Sequence, residues 1–359
     1  MPLIDYSFWD NYKNTIEAMT GGTNTVEFDD LKLPSVMVRL ASFNLEDIDA
    51  NLGAGLHPAF LYDTTVQKIL IGKYLACIPS GGTRCYSLPG NTTRLAANSI
   101  TYDQAVSYCT SKGAGWHLMT AHEWGAVALG CCKRGVFPRG NTEYGRAHDA
   151  RHETARREDG AAPGGTTGTP RTLPGSGPET WTHNQSPSGI HDLVGNIWEW
   201  NHLLKLVDGR FVCPDTNKYD STEASWTLQN AYVDSPVTGD MAGSDDLGVP
   251  SLADSVTHYA GTAGNDGYYD YNSISPWRSM VNSLTVTPSV LKALLVAPAN
   301  TITGSIAGYF YCRNYGTRLP VRGGYWNDTS HAGLGALGLF DARSCACTGF
   351  GFRPALVKT

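Results

Sequence analysis

The sequence predicts an α+β fold of irregular build, with short mixed sheets and two main helices. Two helix starts carry capping boxes, Thr101-Tyr102-Asp103-Gln104 and Thr120-Ala121-His122-Glu123. In each, the threonine hydroxyl and the side chain three residues on satisfy N–H groups that the first turn leaves unpaired. Strand-like runs such as Val36 to Phe43 and Lys68 to Cys77 are short and scattered. Forty glycines stand beside 18 tyrosines and 9 tryptophans, a mixture that suits irregular segments pinned by packed rings.

Residues 1–55 read as a separate segment for oligomerisation or attachment, with a helix over Tyr6 to Met19 and a strand near Val36. The body is expected to span 56–359 as one domain. It opens with strands at Ala59 to Tyr62 and Lys68 to Cys77, turning near Asp63-Thr64. The first capped helix presents Ala105, Val106 and Cys109 on one face, and Gly113 is expected to stop it. The second presents Trp124, Val127, Ala128 and Cys131 at i, i+3, i+4 and i+7, and Gly135 ends it. Residues 138–189, rich in Gly, Pro and Thr, read as a long loop held by Trp181. Gly189 to Trp200 is a turn followed by a strand. Residues 205–310 are irregular, and Gly323 to Pro354 closes the chain.

Composition excludes several function classes. Apolar residues make up 41% of the 359 and charged ones 17%, which is globular rather than disordered. A net charge of −6 offers no basic face to nucleic acid. The one basic run, Lys133 to Arg157, is interleaved with Glu143, Asp149 and Glu153. The nine cysteines show no paired metal-ligand spacing and are expected as reduced thiols. No basic region precedes an apolar run at Met1-Pro2-Leu3-Ile4-Asp5, so no signal peptide is expected. The apolar run Val290 to Ala299 is too short to span a bilayer and contains Lys292, so no membrane partner is expected.

Four motifs then align in order: Trp116-His117-Leu118-Met119-Thr120 with Glu123-Trp124, Gly189 to Trp200 with its Gly195-Asn196-Ile197-Trp198-Glu199-Trp200, Val321-Arg322-Gly323-Gly324-Tyr325-Trp326-Asn327, and Gly351-Phe352-Arg353. Over roughly His57 to Ala355 this resembles the formylglycine-generating-enzyme-like branch of the C-type lectin fold. Arg322 and Arg353 suit bidentate pairing with buried carboxylates or carbonyls, and Gly323-Gly324 lets the backbone turn where a Cβ would clash.

Within that branch, residues 321–356 resemble the variable region of proteins diversified by a retroelement, whose asparagine codons are rewritten at adenines. The fixed letters are met by Arg322, Trp326, Ser330, Ala332-Gly333, Ala336-Leu337, Leu339, Ala342-Arg343-Ser344, Thr348 and Gly351 to Leu356. The resemblance implies ligand-binding, interchangeable positions at Tyr325, Asn327, Asp328, His331, Gly335, Gly338, Phe340, Asp341, Cys345, Cys347 and Gly349. The residues at Tyr325, Asp328 and His331 onward are all reachable from an asparagine codon by adenine changes.

The resemblance therefore implies a binding protein and no catalysis. The copper-dependent oxidases of the branch carry two cysteines just after the closing glycines, near positions held here by Asp328 and Gly333. The iron-dependent relatives use a helical histidine cluster, and His148 with His152 does not sit in such a helix. The alternatives are an oxidase acting on sulfur and a tail component that binds nothing. No cofactor is required. A structural calcium is implied through Asp192, Gly195, Ile197 and Glu199, with a turn held by its own hydrogen bonds as the alternative. The expected partner is a protein or glycan receptor on a cell surface, engaged by a homotrimer on a phage tail. A bacterial cytoplasmic or cell-surface location is the alternative.

Overall fold

The computed structural model describes residues 6–237, 248–260, 272–274, 279–297 and 306–358. Met1 to Asp5, read above for a signal peptide, and the end of the apolar run at 298–299 lie outside them.

Both capping boxes form. Thr101 accepts from the Gln104 N–H and Thr120 from the Glu123 N–H, with each N3 side chain reaching back to the cap. They start helices Tyr102–Thr110 and Ala121–Arg134. The longer one ends at Gly135 in the left-handed region, with φ 64°. The shorter one is capped by Ser111, and the turn at Gly113 follows two residues later. Among the described residues two further helices occur, Tyr6–Met19 and the short Ser289–Ala293. The first is the helix expected in the N-terminal segment, and Tyr102–Thr110 and Ala121–Arg134 are the two expected in the body.

Helix Ala121–Arg134 is buried on nearly every side, as a helix through a core must be. A Cβ on Gly125 would lie 2.2 Å from the Ala293 carbonyl, so only glycine admits the chain that crosses it there. The Trp124 indole donates to the Leu334 carbonyl over 2.9 Å, which fastens this helix to the closing segment.

The chain builds two main sheets. The first runs Asn24–Phe28, Pro34–Arg39, Lys68–Gly72, Pro354–Lys358, Trp116–Leu118, antiparallel throughout. Its residues alternate between faces with period two. Val38, Ile69, Ile71 and Ala355 join the main core, while Met37, Leu70, Trp116 and Leu356 form a small cluster. A boundary at residue 55 cuts through this sheet. Pro34–Arg39 pairs with Lys68–Gly72 and Asn24–Phe28 pairs with Pro34–Arg39, which leaves Tyr6–Met19 as the segment outside the sheet.

The second sheet carries the closing segment. Strand Gly333–Asp341 lies between Thr317–Gly323, antiparallel, and Phe310–Cys312, parallel. Trp198–Trp200 bridges Thr317–Gly323 and Phe350–Phe352. The loop over 138–189 is held as expected by Trp181, fully buried among Ala147, Ala150 and Ala155. Its indole donates to Glu153.

Candidate functional site

The closing segment is clamped before it can display anything. Arg353 is fully buried. Its Nε and Nη2 donate to the two oxygens of Glu199 at 2.9 and 2.8 Å, and its remaining N–H groups donate to the carbonyls of Gly72 and His191. Arg322, equally buried, has carbonyls only. It donates to Leu294 and Leu295 at 2.6 and 3.4 Å, and burial pushes its pKa down to about 9. Arg343 reaches Asp103 and Glu223 and lies 5.1 Å from the Tyr102 ring centre. Gly323 and Gly324 have φ of 95° and 100°. A Cβ on Gly324 would stand 2.5 Å from that of Ala332.

Between these clamps the expected ligand positions divide. Asn327 and Cys347 are exposed, and Tyr325, Asp328, His331, Phe340, Asp341 and Cys345 are half-buried. Gly335, Gly338 and Gly349 are buried, so as they stand they offer no contact to a ligand. Neighbours have closed over the missing side chains. A Cβ on Gly338 would lie 2.8 Å from Val321, and one on Gly349 would lie 2.1 Å from the Tyr325 ring. That ring in turn packs on Trp326. The two positions are therefore coupled. Gly349→Ala should cost about 1–3 kcal/mol, and adding Tyr325→Ala should recover most of it. A double-mutant cycle by denaturant unfolding reads the coupling.

Asp328 holds the turn in which it sits, since its carboxylate accepts the Tyr325 N–H at 2.8 Å. Burial pushes its pKa from 3.8 up to about 6. The folded chain then binds this proton more tightly than the unfolded chain. The group's contribution to stability is complete below pH 3.8 and is lost as the pH rises through about 6. Asp192, also raised to about 6 by burial, loses its contribution over the same window. Asp328→Asn should make the fall in stability across that window shallower without abolishing it, as read from urea midpoints at a series of pH values.

Asp341 also has its pKa raised by burial, and its Oδ2 has no partner among the described residues. The neighbouring Cys347 thiol raises the pKa of Cys345, and Cys345 in turn holds the Cys347 thiol below its usual value.

Sequence reasoning missed two residues at this site, Tyr309 and Tyr311. The parallel pairing of Phe310–Cys312 with Leu337 to Leu339 brings them beside the variable positions. The His331 ring stacks on Tyr309 at 3.6 Å between centres, and its Nδ1 lies 3.1 Å from the Tyr311 hydroxyl. Phe340 meets Tyr311 edge-on at 6.0 Å, and Trp198 does so at 6.2 Å. The alternation Tyr309-Phe310-Tyr311, with Phe310 buried and both tyrosines half-buried, was the available signal. The long loop borders the same face. Tyr144 donates its N–H to the Trp326 carbonyl, Thr329 donates to that of Thr142, and Arg171 reaches the Thr348 carbonyl.

The four residues expected around a calcium do not fit one. Both oxygens of Glu199 are taken by Arg353. The Gly195 carbonyl accepts the Ile197 N–H at 2.8 Å, and Asp192 accepts the Gly175 N–H at 2.7 Å. The turn is held by its own hydrogen bonds and a salt bridge, and Glu199 serves as a fold clamp. Among the described residues no helix is long and apolar enough to cross a membrane.

A family model for the sulfatase-modifying factor enzyme 1-like domain matches residues 18–205. No curated protein matches the chain. Among solved structures, the chain is similar to Treponema denticola variable protein 1, at 13% identity over 93% of this chain and 98% of that one, with a TM-score of 0.37. It is also similar to the Major Tropism Determinant U1 and P3c variants, at 14% and 13% identity and TM-scores of 0.31. In both cases the match spans 90% of this chain and 63% of the other.

Proposed function

The chain belongs to the family of sulfatase-modifying factor enzyme 1-like domains, and from that premise we propose that it uses the family's frame for display and not for catalysis. It is a retroelement-diversified ligand-binding protein on a C-type lectin scaffold. Its ligand is a protein or glycan receptor on a cell surface, and its setting is a phage tail. One observation carries this reading. Within 321–356 the scaffold residues Val321, Arg322, Ala332, Ala336, Leu337, Leu339, Phe352 and Arg353 are buried, while Asn327, His331, Phe340, Cys345 and Cys347 reach solvent. A fixed backbone then presents exchangeable side chains, so ordering costs stay constant while contacts change.

Helix Tyr6–Met19, with Phe8 and Met19 exposed, is the segment we assign to attachment or trimer formation. Several copies on one particle would multiply a weak single-site affinity.

The test is the DNA around the gene. We expect a second copy of codons 321–356 with asparagine codons at the variable positions, next to a reverse transcriptase gene. Absence of both contradicts the reading. A purified chain that takes up copper and consumes oxygen with a thiol substrate would instead favour the oxidase.

A further inference from the structure

Seven of the nine cysteines are buried, and the two that are not, Cys345 and Cys347, are separated by a single residue on the closing segment. Cys347 is exposed, while Cys345 is half-buried against the core cluster that holds Trp198 and Phe350. The stretch that carries them is pinned at both ends. The Cys345 N–H donates to the Ala342 carbonyl at 3.0 Å, and the Cys347 carbonyl accepts from the N–H groups of Ser99 and Phe350, each at 3.1 Å. Two steps along a chain span at most about 7 Å between Cα atoms. A disulfide spans about 4.4–6.8 Å, so any bend between the two residues brings them into range.

The two thiols are unequal, and both differences point the same way. Cys347 is the more exposed. It is also the readier to ionise, since Cys345 holds it below its usual value, while Cys347 and partial burial keep the proton on Cys345. A thiolate, not a thiol, attacks a disulfide, and it must be reachable to do so. Cys347 meets both conditions, and Cys345 stands beside it to attack second. The other cysteines meet neither condition. Cys77, Cys131, Cys132 and Cys213 are buried, and burial pushes each thiol up. Cys85 and Cys109 lie 3.7 Å apart but are sealed in the core.

We infer that Cys345 and Cys347 form a reactive dithiol that exchanges with small disulfides of the glutathione type and closes into a disulfide of its own. The Cys347 thiolate attacks one sulfur of the small disulfide. That S–S bond breaks, and the first small thiol leaves, taking up the proton that Cys347 had given to water. Cys345 then attacks the Cys347 sulfur of the mixed disulfide. The second S–S bond breaks, and the Cys345 proton goes to the second departing thiolate. Two protein thiols are oxidised to one disulfide, and one small disulfide is reduced to two thiols. The chemistry stands whatever the variable face binds.

The test mixes the reduced full chain with oxidised glutathione near neutral pH, quenches with acid and maps the products by peptide mass spectrometry. The parent should yield the Cys345–Cys347 disulfide and release two reduced glutathiones per chain. Cys345→Ser should stop at a glutathione mixed disulfide on Cys347. Cys347→Ser should react at least about tenfold more slowly. The seven buried thiols should stay reduced throughout, which reports that each chain is folded, and Cys345→Ala with Cys347→Ala repeats the comparison on a second pair of variants. A parent that does not react, or that accumulates the mixed disulfide without closing, overturns the proposal. Equal rates for the two single variants overturn the order of attack.

Discussion

Replacing Arg353 with methionine should cost about 3–5 kcal/mol of folding free energy, the usual penalty for breaking a buried ion pair from one side. Methionine keeps much of the volume, so the loss is electrostatic. It leaves the Glu199 carboxylate without either charge-assisted hydrogen bond and the carbonyls of Gly72 and His191 without donors. Burial already pushes the Glu199 pKa up, and the Arg353 charge opposes that push. Without the arginine the carboxyl holds its proton more tightly in the folded state. The deficit should therefore widen as the pH rises above the ordinary glutamate range. Glu199→Gln should cost less, because the amide oxygen still accepts from the guanidinium. Guanidinium unfolding followed by tryptophan fluorescence measures both. A loss under about 1 kcal/mol for Arg353→Met would mean the clamp is not what fixes the closing strand.

The second large effect is on binding. If the chain binds a cell-surface receptor as proposed, exchanging Asn327, His331, Phe340 and Cys347 together for alanine should lower its adsorption to the cells carrying that receptor by about a hundredfold or more, since few residues carry most of an interface's energy. On that reading His331 and Phe340 serve as the anchors, because each lies against a tyrosine of the fixed frame and is pre-ordered before contact. The same fourfold variant should unfold within about 1–2 kcal/mol of the parent, as substitutions away from the core do. Labelled-protein adsorption and thermal unfolding are read on the same preparation. Retained adsorption places the binding residues elsewhere.

Much of the frame was legible because local chemistry dictates it. The capping boxes at Thr101 and Thr120, the left-handed Gly135, the loop held by Trp181 and the buried guanidinium of Arg353 each follow from a few adjacent residues or from a motif. What was not legible depends on partners distant in the chain. Strands 24–39 look detached in sequence because the sheet that claims them is completed by Lys68–Gly72 and by the chain's own end. Tyr309 and Tyr311 join the candidate face only through parallel pairing with Leu337 to Leu339. Glu199 carries oxygen ligands suited to a hard cation, yet a guanidinium reaches it first. Gly335, Gly338 and Gly349 are interspersed as variable positions should be. At Gly338 and Gly349 the lack of a side chain let Val321, Phe340 and Tyr325 fill the space, which depends on the residue present and not on the position.

Central to this reading is that the frame folds independently of what its solvent-reaching variable positions carry. A library of the full chain randomised at Asn327, His331, Phe340, Cys345 and Cys347 tests it most directly, with each member's protease resistance read by sequencing the survivors. Most members should resist digestion as the parent does, with losses confined to side chains that clash with Tyr309 or Tyr311. Digestion of most members would show that these residues hold the fold together, and would contradict the account.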